Sequence, residues 1–329
     1  MFIDGYQRKI TYLRISVTDR CDFRCVYCMG EEMEFLPRAN LLTLEEIARI
    51  GKIFVDNGTT KFRLTGGEPL IRKEVEWLIK ELGSYPGVSQ IGITTNGSQL
   101  RRVAPALKAA GTTKLNVSLD TLDADNFASI TRTGKLSVVL DGIAAAQQAG
   151  LKNIRLNAVI MRGKNEDQII PLVDYARQHG LHLAFIEEMP LGDISHNRQK
   201  TYIDSQMIRH KIHARYPLIK SLLKADDENG PADYWLFQDG NPTKIGFISP
   251  HSCNFCADCN RLRLTVEGRL LLCLGHEDSI NLRAMLRGGK SDKEISQAIQ
   301  QGLQHKPEKH EFKLTEKPII FRHMSHTGG

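Results

Sequence analysis

Six short β-branched runs, at 12–17, 61–64, 90–94, 114–119, 153–159 and 181–186, are separated by amphipathic helical stretches. Their starts lie roughly 25 to 50 residues apart, the rhythm of βα units around a parallel sheet. The first helix opens at Thr43-Leu-Glu-Glu46, a capping box in which hydroxyl and carboxylate satisfy each other's orphan amides. Its apolar face follows at Ile47, Ile50 and Phe54, and Gly58 supplies a left-handed stop. Helices are predicted at 73–82, 100–110, 136–149 and 168–179, with Gly111, Gly150 and Gly180 as stops. Six units are fewer than the eight that close a TIM barrel. The predicted fold is therefore α/β, an open, partial (β/α)6 barrel.

After Pro190 the rhythm changes. A polar loop is expected over 192–204 and a turn-rich break over 226–232. Short strands are expected at 234–237, 244–248, 261–266 and 270–274, the last two joined by a turn at Glu267-Gly268. Ser291-Asp-Lys-Glu294 caps one more helix. The organisation expected is a core over 1–190 and a small α+β region over 191–329. The tail from His305 is charged and poorly periodic; the basic stretch 306–317 reads as a solvated face, and His323 and His326 as exposed.

Lys+Arg number 44 and Asp+Glu 38, a net +6 spread along 329 residues. That is too diffuse for a nucleic-acid binder but suits a pocket for a polyanionic small molecule. No apolar run approaches a membrane span, and the opening MFIDGYQRKI has no signal-like apolar segment. A cytoplasmic protein that binds neither membrane nor nucleic acid is expected.

The seven cysteines form two clusters, Cys21, Cys25 and Cys28, then Cys253, Cys256, Cys259 and Cys273. In a chain of this kind such clusters indicate metal rather than disulfides. The first triad, placed directly after the first strand, is one ligand short of a structural zinc site. A [4Fe–4S] cluster held by three cysteines instead keeps one iron open for a ligand. The second group allows either a closed zinc site of four thiolates or a three-cysteine cluster.

Cys21-x3-Cys25-x2-Cys28, with Tyr27 before the last cysteine, resembles the cluster loop of the radical S-adenosylmethionine (SAM) superfamily. Leu64-Thr65-Gly66-Gly67-Glu68-Pro69 resembles its GGEP segment, whose glycines let backbone come close to a ligand. Cys256-x2-Cys259-x13-Cys273, with Asn260-Arg-Leu-Arg263, is similar to the second-cluster signature of the GTP 3′,8-cyclases of molybdenum-cofactor biosynthesis. The likeness runs from Leu13 to the terminal Gly328-Gly329. That family has no cysteine at position 253.

The resemblance implies a lyase with two [4Fe–4S] clusters, on Cys21, Cys25 and Cys28 and on Cys256, Cys259 and Cys273. It implies cleavage of SAM to a 5′-deoxyadenosyl radical, abstraction of the C3′ hydrogen of GTP and ring closure to 3′,8-cyclo-7,8-dihydro-GTP. SAM contacts carried over are Tyr27, Gly67, Ser118 and Met189. GTP contacts carried over are Arg14, Arg63, Thr94, Arg155, Arg261, Leu262 and Arg263, with Arg261 and Arg263 also catalytic. Cyclic pyranopterin monophosphate synthase follows in the pathway, a reductant protein is required, and a homodimer is allowed. In that family the terminal Gly-Gly enters the cavity. Two positions depart from the pattern: Arg155 stands where Lys is frequent, and Ala184 where Arg is usual. Competing readings are a peptide-modifying radical-SAM maturase and a zinc-stabilised binding protein on a barrel scaffold.

Overall fold

The computed structural model describes residues 1–30, 33–192, 194, 197–221, 230–253, 256–313, 320 and 322–328. Residues 193, 195 and 196 of the expected loop, 226–229 of the expected break, 314–317 of the basic stretch and Gly329 lie outside them.

Six parallel strands, β1 (Tyr12–Ser16), β2 (Lys61–Thr65), β3 (Gln90–Thr95), β4 (Lys114–Ser118), β5 (Ile154–Val159) and β6 (His182–Ile186), lie side by side in chain order. Between them run α1 (Leu44–Asp56), α2 (Val75–Ser84), α3 (Leu100–Ala109), α4 (Ala124–Thr131), α5 (Leu136–Gln148) and α6 (Ile169–Gln178). The capping box at Thr43 and Glu46 forms as expected, and Gly58 takes φ +94° behind the helix. Helix α4 was not expected: Asp123 caps it by accepting from the Asn126 amide.

Alternation along each strand divides the residues between two environments. Leu13 and Ile15 of β1, with Leu115, Val117 and Leu156 from β4 and β5, are buried in the apolar core. Tyr12 and Arg14, on the opposite face, line the lumen. This is why charged residues recur inside strands that otherwise read as apolar.

Beyond residue 190 come α7 (Arg198–Thr201), α8 (Ser205–Arg215), β7 (Leu218–Lys220), β8 (Asp233–Phe237), β9 (Lys244–Ile248), β10 (Arg261–Leu264), β11 (Arg269–Leu271) and β12 (Ser279–Asn281). Three helices follow: α9 (Leu282–Arg287), α10 (Asp292–Leu303) and α11 (Met324–Thr327). These strands continue the barrel's own sheet at both edges. Strand β9 pairs in parallel with β6, and β10 in parallel with β1, giving the order β12-β11-β10-β1-β2-β3-β4-β5-β6-β9-β8-β7. The consequence is chemical. Arg261 lies in register with Tyr12, and Arg263 with Arg14.

Two expectations for the tail are corrected. Lys306 is only 2% exposed, because the segment after α10 folds back over the second cysteine group instead of along a solvated face. His323 and His326 are half-buried, since α11 packs on β1.

Candidate active site

One large cavity fills the lumen. All seven expected GTP contacts line it: Arg14, Arg63, Thr94, Arg155, Arg261, Leu262 and Arg263. So do Cys256, Cys259 and Cys273 at one end, and Tyr27, Ser118 and Met189. Gly67 is not among the lining residues. A Cβ at Gly67 would lie 2.1 Å from the Arg20 carbonyl, and one at Gly66 2.3 Å from the Thr18 carbonyl. The Gly67 amide donates to Thr18 at 2.7 Å and the Glu68 amide to Arg20 at 2.8 Å. The close approach permitted by these glycines is thus to the cysteine loop, which they fasten to the end of β2.

A polar rail crosses the lumen. Arg63 donates from Nε to the Tyr12 hydroxyl at 2.6 Å, and Arg155 from Nη1 to the Tyr234 hydroxyl at 2.6 Å. Asn116, its amide turned so that the oxygen faces both guanidiniums, accepts from Arg63 at 3.1 Å and Arg155 at 2.8 Å. Five elements, β1, β2, β4, β5 and β8, are thereby tied together around two fixed cations. Ala184 is fully buried on β6, and its Cβ lies 3.4 Å from where a Cβ at Gly246 would stand.

The cations crowd one another. Burial, with Arg63, Arg261 and Arg155 nearby, lowers Arg14 to about 10 despite the pull of Tyr12. Burial, with Arg14 and Arg261, lowers Arg263 well below its usual range. Burial would raise the Tyr12 phenol, but Arg63, Arg14 and Arg261 outweigh it and bring it down to about 7. The acids that share the cavity are engaged elsewhere. Glu187 accepts from the amides of Ser205, His251 and Ser252, Glu188 pairs with Arg198, and Asp120 accepts from the Val159 amide and the Tyr27 hydroxyl. A polyanion is what this arrangement is built to receive.

Around the first cysteine loop, burial and the neighbouring Glu68 raise Cys21 to about 12. Burial and then Cys28 push Cys25 well above its usual value, and burial raises Cys28 to about 12. Three buried sulfurs that repel one another as thiolates fit a cationic group bound between them, which would deprotonate all three. Buried Glu68 braces this end by accepting from Leu70, Asn96 and the Thr95 hydroxyl. Cys253 is exposed and, unlike Cys256, Cys259 and Cys273, is not among the residues lining the cavity. Among the described residues, no three His, Cys, Asp or Glu side chains converge on a single-ion site at either cysteine group.

Tyr12, Asn116, Tyr234 and Lys306 were not singled out from the sequence. Tyr12 precedes Arg14 by two residues, and that spacing alone placed it on the lumen face. Asn116 and Ser118 share the same relation. No periodic signal marked Lys306.

A partial parallel barrel with a half-buried cysteine triad in its first loop defines a radical SAM fold, and the comparisons agree. The Radical SAM superfamily profile matches residues 15–176, and the Molybdenum Cofactor Synthesis C profile matches residues 181–312. The chain is 53% identical over 329 residues to GTP 3′,8-cyclase 1 of Pseudomonas aeruginosa, covering 100% of this chain and 99% of that one. It is 52% identical over 328 residues to the GTP 3′,8-cyclase of Marinobacter nauticus, covering 99% and 98%. The chain belongs to the GTP 3′,8-cyclase family, whose cofactors are SAM and [4Fe–4S] clusters. Among solved structures, Streptococcus suis SuiB bound to S-adenosylmethionine superposes with TM-score 0.58 at 16% identity, over 97% of this chain and 77% of that one. HydG from Carboxydothermus hydrogenoformans superposes with TM-score 0.51 at 19% identity, over 64% and 52%. These two likenesses are of fold. No described helix is long and apolar enough to cross a membrane.

Proposed function

We propose that this chain converts GTP to (8S)-3′,8-cyclo-7,8-dihydroguanosine 5′-triphosphate, the first step of molybdenum-cofactor biosynthesis. The observation that carries this reading is the meeting, in one lumen, of five arginines with the second cysteine triad and the Tyr27–Asp120 end of the barrel. Cys21, Cys25 and Cys28 would hold the SAM-binding cluster, and Cys256, Cys259 and Cys273 the cluster at the GTP base. When bound, these groups supply the electron and the 5′-deoxyadenosyl radical that removes the C3′ hydrogen.

The chain's residues do the rest. Arg14, Arg63 and Arg155 present guanidiniums to the triphosphate; Arg63 and Arg155 are already oriented by Tyr12, Asn116 and Tyr234, so they lose little side-chain freedom on binding. Thr94, whose buried hydroxyl has no hydrogen-bond partner, offers a donor to the nucleotide. Leu262, Arg261 and Arg263 border the base, where the two cations can hold developing charge or deliver a proton as the ring closes. Tyr27, Ser118 and Met189 receive SAM, while Gly67 fixes the loop that carries its cluster.

The reading extends to a core over 1–190 and a region over 191–329 that supplies the second cluster. It also extends to a cytoplasmic setting, to handing product to cyclic pyranopterin monophosphate synthase, and to a homodimer. The test is anaerobic incubation with GTP, SAM and a chemical reductant. Cyclised GTP and 5′-deoxyadenosine should form in equal amounts; 5′-deoxyadenosine without cyclised nucleotide would point to another substrate.

A further inference from the structure

Lys306 follows α10 and is 2% exposed. Its ammonium donates to the Leu272 carbonyl at 2.6 Å and to the Cys259 sulfur at 3.6 Å. Leu272 immediately precedes Cys273, so one ammonium touches both arms of the second triad.

The position of the lysine is fixed from outside. Arg8 donates to the carbonyls of Pro307 at 2.7 Å, Glu308 at 2.8 Å and Cys256 at 2.8 Å, while Asp4 accepts from its Nε at 2.6 Å. The N-terminal arm thus clamps the Lys306 segment onto the cysteine loop. A buried ammonium held by one carbonyl is costly unless an anion shares it. Here the anion in reach is the thiolate set.

We infer that Lys306 is a positioning residue for the second cluster, a fixed buried cation that stabilises its reduced state and raises its reduction potential. The inference rests on Cys256, Cys259 and Cys273 holding an iron–sulfur cluster. Reduction adds an electron to a group already ligated by three thiolates, so a nearby cation in a poorly screened site favours the reduced form. Hydrogen bonds to ligating sulfur act in the same direction as a lever on potential.

The experiment is an EPR-monitored redox titration of the anaerobically purified holoenzyme and its Lys306→Arg, Lys306→Gln and Lys306→Met variants, with iron counted for each. The second cluster's reduction equilibrium should become at least tenfold less favourable in the Gln and Met variants. For one electron that is a fall of 59 mV. The Arg variant should stay near the parent, and the first cluster's potential should not move in any of them. Loss of the second cluster from both neutral variants, with retention in Arg, also supports a requirement for the charge. An unchanged potential in Lys306→Gln, or loss of the cluster from all three variants, overturns the inference. A parent enzyme with about four irons and a single cluster signal would instead overturn the two-cluster reading beneath it.

Discussion

The Tyr12 hydroxyl and the Arg63 guanidinium, on neighbouring strands, meet at 2.6 Å across the floor of the cavity. The phenol is brought down to about 7 by Arg63, Arg14 and Arg261, which outweigh its burial. Charged groups lining the cavity around it are Arg14 on β1, Lys61 and Arg63 on β2, and Arg261 on β10. A phenolate there neutralises charge that a triphosphate would otherwise use. Bound triphosphate disfavours the phenolate, so binding takes up a proton, and GTP affinity falls as pH rises through about 7. Tyr12→Phe should remove that dependence. Below pH 7 it should weaken binding by ~1.5 kcal/mol, about tenfold in Kd, because Arg63 loses an acceptor. Calorimetric titration with GTP in the absence of SAM, over a range of pH, checks both. Parallel pH profiles for parent and variant would show that Tyr12 keeps its proton.

Gly67→Ala should strip the first cluster while leaving the barrel folded. The added methyl group would meet the Arg20 carbonyl at 2.1 Å, so the segment leading to Cys21 must move. Such overpacking costs ~1–3 kcal/mol, which a core of this size tolerates. The far-ultraviolet circular dichroism should match the parent, with about half its iron. Full iron content would mean that the loop accommodates the group.

The barrel and both cysteine groups were legible because each leaves a local signal. Strand–helix alternation, capping boxes such as Thr43–Glu46 and cysteine spacing are short-range patterns. What escaped depends on pairing between distant segments. The resemblance assigned Arg261 and Arg263 to the site, but the pairing that puts them in the lumen, β10 in parallel with β1 some 250 residues earlier, leaves no local signal. Lys306 lies in a stretch whose charge reads as solvated, and the Arg8 clamp with the Leu272 carbonyl turns it inward. The glycines of the GGEP segment read as positions of close approach to a ligand, while the contacts the structure shows are with the chain's own cysteine loop. The rail from Tyr12 to Tyr234 needs five elements, and no window of sequence contains it.

The second triad is separable from its fourth neighbour. Cys253→Ala should keep about eight irons, because that thiol is exposed and is not among the residues lining the lumen. Cys256→Ala and Cys273→Ala should each keep the first cluster and lose the second, with 5′-deoxyadenosine still formed and cyclised product lost. Iron analysis and Mössbauer spectra of the three variants decide it. Loss of a cluster with Cys253 would place the fourth cysteine among the ligands.

Arg263 has two partners in view, and its removal should have two readable effects. It is 8% exposed, lies in register with Arg14 on β1, and donates from Nη1 to the carbonyl of Gly328. That contact seats α11 against the lumen, where Met324 joins the lining. Arg263→Ala should therefore loosen the tail, seen as faster amide exchange over 324–328, because the carbonyl loses a charged donor. It should also remove a fixed cation beside the base, at ~1.5–3 kcal/mol for a charge-assisted contact, or about 10- to 150-fold in product formation. Arg261→Ala is expected to show the same catalytic loss with a smaller change in exchange, since Arg263 is the residue that donates to the Gly328 carbonyl. Both variants should retain about eight irons. If Arg263→Ala turned over normally while its tail exchanged freely, the residue would be an anchor for the tail and the phosphate contacts would rest on Arg14, Arg63 and Arg155.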